Sequence, residues 1–169
     1  MDYNNTDIII ARATPIGKSA LAIIRISGPS LKKMLLQFFP KHNFLPQHAT
    51  LKQIKTLKSN VILDSCVVLY YKNPKSFTGE DMLEISCHGN DLNVDQIISE
   101  FISVGVRQAY PGEFSYRAFK NSKIDLLQAE SIAAKISCNS NQYGVALQNL
   151  ENGATSNKLH ELRKKIINL

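Results

Sequence analysis

Hydrophobic and polar positions alternate over short stretches in the first two thirds of the chain, a pattern typical of strands separated by turns. The turn segments are marked by glycine and proline, as in "TPIGKS" and "KNPKSFTGE". A polar, lysine-bearing stretch at residues 41–59 favours a loop with one weak strand. The other strands are predicted at residues 8–13, 20–27, 61–71, 81–87 and, more briefly, 106–109.

Helical spacing of apolar residues predicts two helices within the same part of the chain. The first is expected to use Ser27 or Gly28 as its cap and Pro29 as its first residue, and to end at Pro40. The second covers "NDLNVDQIISEFISVG", with Asn90 or the following aspartate as cap and a glycine as terminator.

From Pro111 onward the pattern is helical throughout. A short helix over "PGEFSYRAFK" is followed by one at residues 123–137 and by another from residue 139 to the end. The last helix carries apolar stripes that need a partner, so we expect it to pack on more of the same protein or on another subunit. The overall prediction is an α+β fold, with one domain at residues 1–120 and the start of a helical domain at residues 121–169.

Composition narrows the class of protein. A chain of 169 residues with 44% apolar residues can bury a core. The net charge of +6 suits a polyanionic partner such as RNA, although a solvated basic surface is the commoner reading. Three distant cysteines without CxxC spacing suggest neither a disulfide framework nor a cysteine-built metal site. We therefore expect a soluble, cytoplasmic protein with no membrane span.

Two charged residues interrupt the predicted apolar strands. Because side chains alternate along a strand, Arg25 shares a face with Leu21 and Ile23, while Glu84 shares one with Met82. A carboxylate on a strand needs a partner. Arg25 is one candidate, and a ligand with two adjacent N–H donors is the other; the pattern leaves both open.

Other candidate sites are less convincing. The "GKS" at residues 17–19 resembles the tail of a phosphate-binding P-loop, but Arg12 stands where the first glycine belongs and a strand follows instead of a helix. Cys87 and His88 are neighbours in a strand and point to opposite faces, which disfavours a catalytic pair. The histidines show no metal-ligand spacing. Lys123, between two helices, is either a solvated lysine or a cation that reaches a ligand held by the sheet.

Three blocks taken together are more specific than any one: "ATPIGKSALAIIRISG", "SFTGEDMLEISCHGN" and "PGEFSYRAFKNSKIDLLQAE". In this order and separation they closely resemble the N-terminal part of the MnmE or TrmE family of tRNA-modification GTPases, over nearly the whole chain. The resemblance implies a domain similar to the tetrahydrofolate-binding domain of glycine-cleavage T-proteins, followed by an incomplete helical domain.

The resemblance also implies a function for the full-length family members. Their N-terminal domains form a homodimer and bind a tetrahydrofolate derivative, in the 5-formyl or 5,10-methylene form, that supplies a one-carbon unit. With the flavoprotein MnmG (GidA) they modify carbon 5 of the wobble uridine in tRNA. GTP, Mg²⁺ and K⁺ belong to a G domain that this sequence lacks, so we expect a fragment that does not hydrolyse GTP alone.

Three folate-binding positions carry over from the family motifs. They fall on Arg25, Glu84 and Lys123. From the residues themselves we expect no catalytic residue and no metal site. Two departures stand out: the usual "HGG" is "HGN", with Asn90 in place of a glycine, and Ile16 and Ser19 replace the commoner proline and glycine. A stand-alone RNA-binding or assembly module is the alternative reading, and an aminomethyltransferase-like enzyme is a weaker one.

Overall fold

A computed structural model describes residues 6–40 and 43–136, with isolated residues at 150, 158, 163–165 and 167. Within it the chain forms two compact units, Met1–Phe114 and Ser115–Leu169. The helix predicted from residue 139 to the end lies almost entirely outside the described residues. Within the described part of the chain, no helix is both long and apolar enough to cross a bilayer.

The first unit is built on one six-stranded mixed sheet, in the order β3-β4-β5-β2-β1-β6. All neighbouring strands are antiparallel except β1 and β6. The predicted α+β fold is confirmed, and the weak strand expected between residues 41 and 59 is a seven-residue edge strand. The strands are β1 (Ile9–Arg12), β2 (Ser19–Gly28), β3 (Ala49–Lys55), β4 (Ile62–Tyr71), β5 (Asp81–Gly89) and β6 (Arg107–Gln108); the helices are α1 (Lys32–Phe38), α2 (Asp91–Ser103), α3 (Glu113–Lys120) and α4 (Leu126–Ile136).

The hydrophobic core lies between one face of this sheet and helices α1 and α2. Alternate residues of the central strands β2 and β5 supply the sheet side of the core, as the period of two predicts. The helix side includes the apolar stripe of α2. The core-facing side chains of β2, β5 and α2 are essentially inaccessible to solvent. They belong to Ala22, Ile24, Ile26, Leu83, Ile85, Cys87, Val94, Ile97 and Phe101. The intervening strand residues, Arg25 and Glu84 among them, therefore face away from the core.

The predicted start of the first helix is wrong. Strand β2 continues through Gly28, which pairs with Asp81, so Ser27 and Gly28 belong to the sheet. A Cβ at Gly28 would lie 2.9 Å from the Ile8 side chain, which explains a glycine at this close strand contact. Helix α1 begins only at Lys32, and Leu31 at its cap makes no side-chain cap bond.

The "HGN" segment joins β5 to α2 with ordinary backbone geometry. Asn90 has a φ of −92° and caps α2, because its side chain accepts a hydrogen bond from the Leu92 N–H at 3.0 Å. A Cβ at Gly89 would lie 2.3 Å from the Ser19 carbonyl oxygen. The close approach of two strands therefore accounts for Gly89. Asparagine at position 90 is accommodated with an ordinary extended backbone conformation.

The second unit contains most of α3 and all of α4. Helix α4 begins at Leu126, three residues later than predicted. Asp125 and Gln128 form reciprocal hydrogen bonds of 2.8 Å between each backbone N–H and the other's side-chain oxygen. This capping box fixes the start of the helix.

We predict that Asn90→Ala lowers the free energy of unfolding by about 1 kcal/mol, because the Leu92 N–H loses its acceptor. Urea denaturation measures the change. Asn90→Asp keeps an acceptor oxygen and serves as the matched control, for which we expect near-native stability. Equal destabilisation by both substitutions would contradict the capping role.

Candidate functional site

Arg25 and Glu84 form a cross-strand ion pair. They are direct partners in the antiparallel register of β2 and β5. Arg25 Nε and Nη2 both donate to Glu84 Oε1, at 2.9 and 2.7 Å. The Tyr71 hydroxyl donates to the other oxygen, Oε2, at 3.2 Å. The side chains of the pair remain 29% and 20% exposed, so a ligand can reach both.

Two aromatic rings flank the Arg25 guanidinium. Its central carbon lies 5.6 Å from the ring centre of Phe77 and 5.9 Å from that of Phe114. Contacts of this kind favour a cation over the face of a ring and restrict its side-chain rotamers. The partial burial of both side chains also strengthens their electrostatic interaction relative to that of a pair in open water.

The loop before β5, which carries Phe77, is held in place by buried hydrogen bonds. The Ser27 hydroxyl donates to Glu80 Oε2 at 2.8 Å, so the 2.7 Å contact between Ser27 and Thr78 is donated by Thr78. The Ser76 hydroxyl donates to the Glu80 carbonyl at 2.6 Å. These bonds satisfy buried polar groups and tie the "SFTGE" loop to strand β2.

A cavity of about 350 Å³ opens beside Arg25. This volume lies at the lower end of the range of small-molecule pockets. One wall is the end of β1 and the other is the loop after β6, and the lining residues are Ala11, Arg12, Ala13, Arg25, Ala109, Tyr110, Pro111, Gly112 and Phe114.

A charged network fixes the loop wall of this cavity. Arg107 donates to Asp7 at 2.6 Å and to both carboxylate oxygens of the fully buried Glu113, at 2.6 and 3.1 Å. Hydrogen bonds to Glu113 and then to Asp7 raise the pKa of Arg107 above its usual value. Glu113 also accepts the Tyr110 N–H at 2.8 Å. The carboxylate therefore anchors both ends of the loop that forms the wall.

Lys123 lies in the second unit, in the turn between α3 and α4. Its N–H donates to the Ala118 carbonyl at 2.9 Å, and Ser122 before it has a φ of +56°. The Lys123 side chain is exposed and lines a separate cavity of about 440 Å³ with Phe119, Ser122, Ile124, Asp125 and Gln128. The structure thus joins Arg25 to Glu84, and the convergence of Lys123 on that pair stays a prediction.

Comparison with known proteins assigns the family. The family model described as "GTP-binding protein TrmE N-terminus" matches residues 8–123. The chain belongs to this family. The resemblance drawn from the three sequence blocks is thereby confirmed.

Curated relatives agree with this TrmE assignment, and each is named tRNA modification GTPase MnmE. The protein of Cytophaga hutchinsonii is 41% identical over 166 residues, covering 97% of this chain and 36% of the relative. That of Saccharophagus degradans is 40% identical, covering 100% and 37%. That of Legionella pneumophila is 43% identical, covering 96% and 36%. The chain therefore spans little more than a third of the length of these relatives.

Several residues that contact the candidate site of this TrmE-family chain were not singled out from the sequence. Phe77 and Phe114 lie in recognised blocks, but nothing in the pattern indicates that they flank Arg25. In the sequence pattern, Tyr71 does not differ from any other residue at the end of a predicted strand. In such cases only the fold brings the groups together, so no local signal could have found them.

Arg12 has a structural role that the sequence did not indicate. It donates to the Asp91 carboxylate and, at 3.1 Å, to the Gly17 carbonyl. Hydrogen bonds from Arg12 and from the Gly17 N–H hold the pKa of Asp91 below its usual value. Arg12 thus fastens the "TPIGKS" turn to the start of α2.

Cys87 and His88 point in different directions. Cys87 is buried, and burial raises the pKa of its thiol, so the reactive thiolate is disfavoured. His88 is 73% exposed, and its Nδ1 lies 2.7 Å from Asp64 Oδ1. No group of three or more His, Cys, Asp or Glu side chains among the described residues is arranged to hold a metal ion.

Asp64 lies at the centre of a polar cluster that it forms with His88 and Asn93. Burial raises its pKa, but hydrogen bonds from the His88 backbone and ring, Asn93 and the Ser65 N–H outweigh that effect and lower it. Because the folded-state pKa is depressed, the stabilisation is present above the unfolded-state pKa, near 3.9, and is lost as the pH falls through the folded value.

We predict that Asp64→Asn lowers the free energy of unfolding by roughly 1–3 kcal/mol at pH 7, since an amide cannot accept all the donors around it. The difference between the native protein and the variant should shrink as the pH falls below about 4 and through the lowered folded-state pKa, because the unfolded-state carboxylate takes up its proton before the folded one does. Urea denaturation at pH 7, 5 and 3.5 measures it. A difference that is constant with pH would contradict the account.

Proposed function

We propose that this chain is the tetrahydrofolate-binding and homodimerising N-terminal region of a tRNA-modification GTPase. The observation that carries the proposal is the accessible Arg25–Glu84 pair, whose arginine lines a small-molecule-sized cavity. Two of the three residues that the family resemblance implicates thus lie in direct contact.

The residues present are compatible with a pterin ring. A pterin offers an amino group and a ring N–H side by side, and a carboxylate accepts such a pair. Glu84 has about four acceptor positions, of which Arg25 uses two and Tyr71 uses one. Binding of both pterin donors therefore requires the long Tyr71 bond to open, while Arg25 keeps the carboxylate oriented.

The remaining contacts follow from charge. We propose that Arg25 and Lys123 meet the formyl oxygen or the glutamate tail of the folate. Phe114 and the loop at residues 109–112 would cover its apolar surface. The bound folate supplies a one-carbon unit, and the protein's own part is to orient the ring and to exclude water from it.

The wider function rests on the family resemblance. We propose that the full-length protein acts with MnmG on carbon 5 of the wobble uridine of tRNA, and that GTP is hydrolysed by a separate G domain. Homodimerisation of this region is supported by exposed apolar side chains on the sheet face that carries Arg25. They are Leu21, Leu51 and Val67.

We predict that Glu84→Gln weakens binding of 5-formyltetrahydrofolate by roughly 10- to 100-fold, the loss expected for charge-assisted hydrogen bonds. Isothermal titration calorimetry measures the affinity. Glu130→Gln, an exposed glutamate of α4, is the matched control and should bind as the native chain does. Equal affinity of the native chain and Glu84→Gln would remove Glu84 from the site. A salt-dependent tRNA complex without folate binding would favour a stand-alone RNA-binding module.

We also predict that Tyr71→Phe binds 5-formyltetrahydrofolate at least as tightly as the native chain. The substitution frees Glu84 Oε2 without changing the ring that packs beside it, so no hydrogen bond has to open. Isothermal titration calorimetry of Tyr71→Phe tests this. Tyr70→Phe is the matched control, because Tyr70 bonds to Asp81 instead of Glu84. Weaker binding confined to Tyr71→Phe would show that the ligand uses the phenol itself.

A further inference from the structure

A third cavity, of about 560 Å³ and larger than the two described above, lies at the first helix. We call it the α1 cleft. It lies between α1, the segment at residues 43–46 and the last residues of β4, and nothing in the proposed function uses it. Its lining residues are Ser30, Lys32, Leu35, Leu36, Asn43, Phe44, Leu45, Pro46, Tyr70, Lys72 and Asp81.

The floor of the α1 cleft is aromatic and firmly held. Phe44 packs edge-on against Phe39 with ring centres 5.2 Å apart, and lies 6.3 Å from the Tyr70 ring. The Gln47 N–H donates to the Tyr70 carbonyl at 2.7 Å, which fixes the 43–46 wall against β4. The floor and the 43–46 wall of the cleft are therefore held in place by contacts within the fold.

The upper walls of the cleft expose apolar surface. Leu36 of α1 is 51% exposed and Leu45 on the facing wall is 62% exposed. Two leucines that face one cavity give a ligand an apolar surface to cover, which is the usual lining of a small-molecule site.

The charges around the α1 cleft favour an anion. Asp81 is engaged by the protein, because it accepts the N–H groups of Leu31 and Asn73, at 3.3 and 3.0 Å. Burial and then the Asp81 carboxylate raise the pKa of Tyr70 to about 12, so its hydroxyl stays protonated and hydrogen-bonded with Asp81. Lys32 and Lys72 are exposed, and neither forms an ion pair with another described residue.

We propose that the α1 cleft binds a small molecule with a flat apolar body and one carboxylate. The body would lie on Phe44 and Tyr70 between the two leucines, and the carboxylate would lie between Lys32 and Lys72. This proposal does not depend on folate binding at Arg25. Arg25 lies on the sheet face opposite the core helices.

Titration of the ¹⁵N-labelled chain with 2-naphthoate tests the proposal, and 2-naphthalenemethanol is the neutral analogue. For an apolar acid of this size we expect a dissociation constant on the order of 1 mM. The amide resonances of Leu36, Leu45 and Lys72 should shift, and those around Arg25 should not. The neutral alcohol should bind about fivefold more weakly.

Two variants separate the apolar and charged contributions. Lys32→Glu combined with Lys72→Glu should weaken naphthoate about tenfold and leave the alcohol unchanged, and Leu45→Ser should weaken both. Lys58→Glu and Leu92→Ser, exposed residues outside both the cleft and the sheet face that carries Arg25, are the matched controls. Shifts scattered over exposed apolar residues, equal affinity for acid and alcohol, or no binding would each overturn the proposal.

Discussion

The antiparallel pairing of β2 with β5 is the constraint on which the rest of this structure depends. Its register places Arg25 opposite Glu84 and, because side chains alternate, sends the neighbouring residues into the core against α2. A slip of either strand by one residue would turn that strand's charged residue toward the core and its apolar residues toward solvent. The same pairing that builds the core therefore creates the ion pair on the other face, and core stability and site geometry have one origin.

Around that pair the chain places groups from distant parts of the sequence. The "SFTGE" loop brings Phe77 over the guanidinium and is tied down through Ser27. The loop after β6 brings Phe114 to the other ring contact and is tied down through Glu113. Both ties are buried and hydrogen-bonded, so the surroundings of Arg25 are set before any ligand arrives. This preorganisation is what the proposed folate site requires.

Much of this could be predicted from the sequence, and the failures have identifiable causes. The period of two correctly grouped Arg25 with Leu21 and Ile23 on one strand face and Glu84 with Met82 on another, and three motif blocks indicated the family. Which face turns toward the core is shown only by the fold. The start of α1 failed because Gly28 satisfies a helix-cap pattern, yet its pairing with Asp81 extends the strand, and pairing across the sheet has no local signal. Tyr71 was missed for the same reason. The choice between ion pair and ligand contact at Glu84 stayed open, since it depends on a register that a strand pattern does not specify.

The central claim is that Arg25 and Glu84 form the centre of a folate site. The most direct test is to follow the Arg25 Nε–H resonance by NMR while 5-formyltetrahydrofolate is added, with Lys123 labelled in the same sample. The account predicts a saturable shift of the Arg25 signal with a matching change at the Lys123 ammonium group. An Arg25 signal that stays unchanged at saturating folate, while resonances elsewhere move, would contradict it.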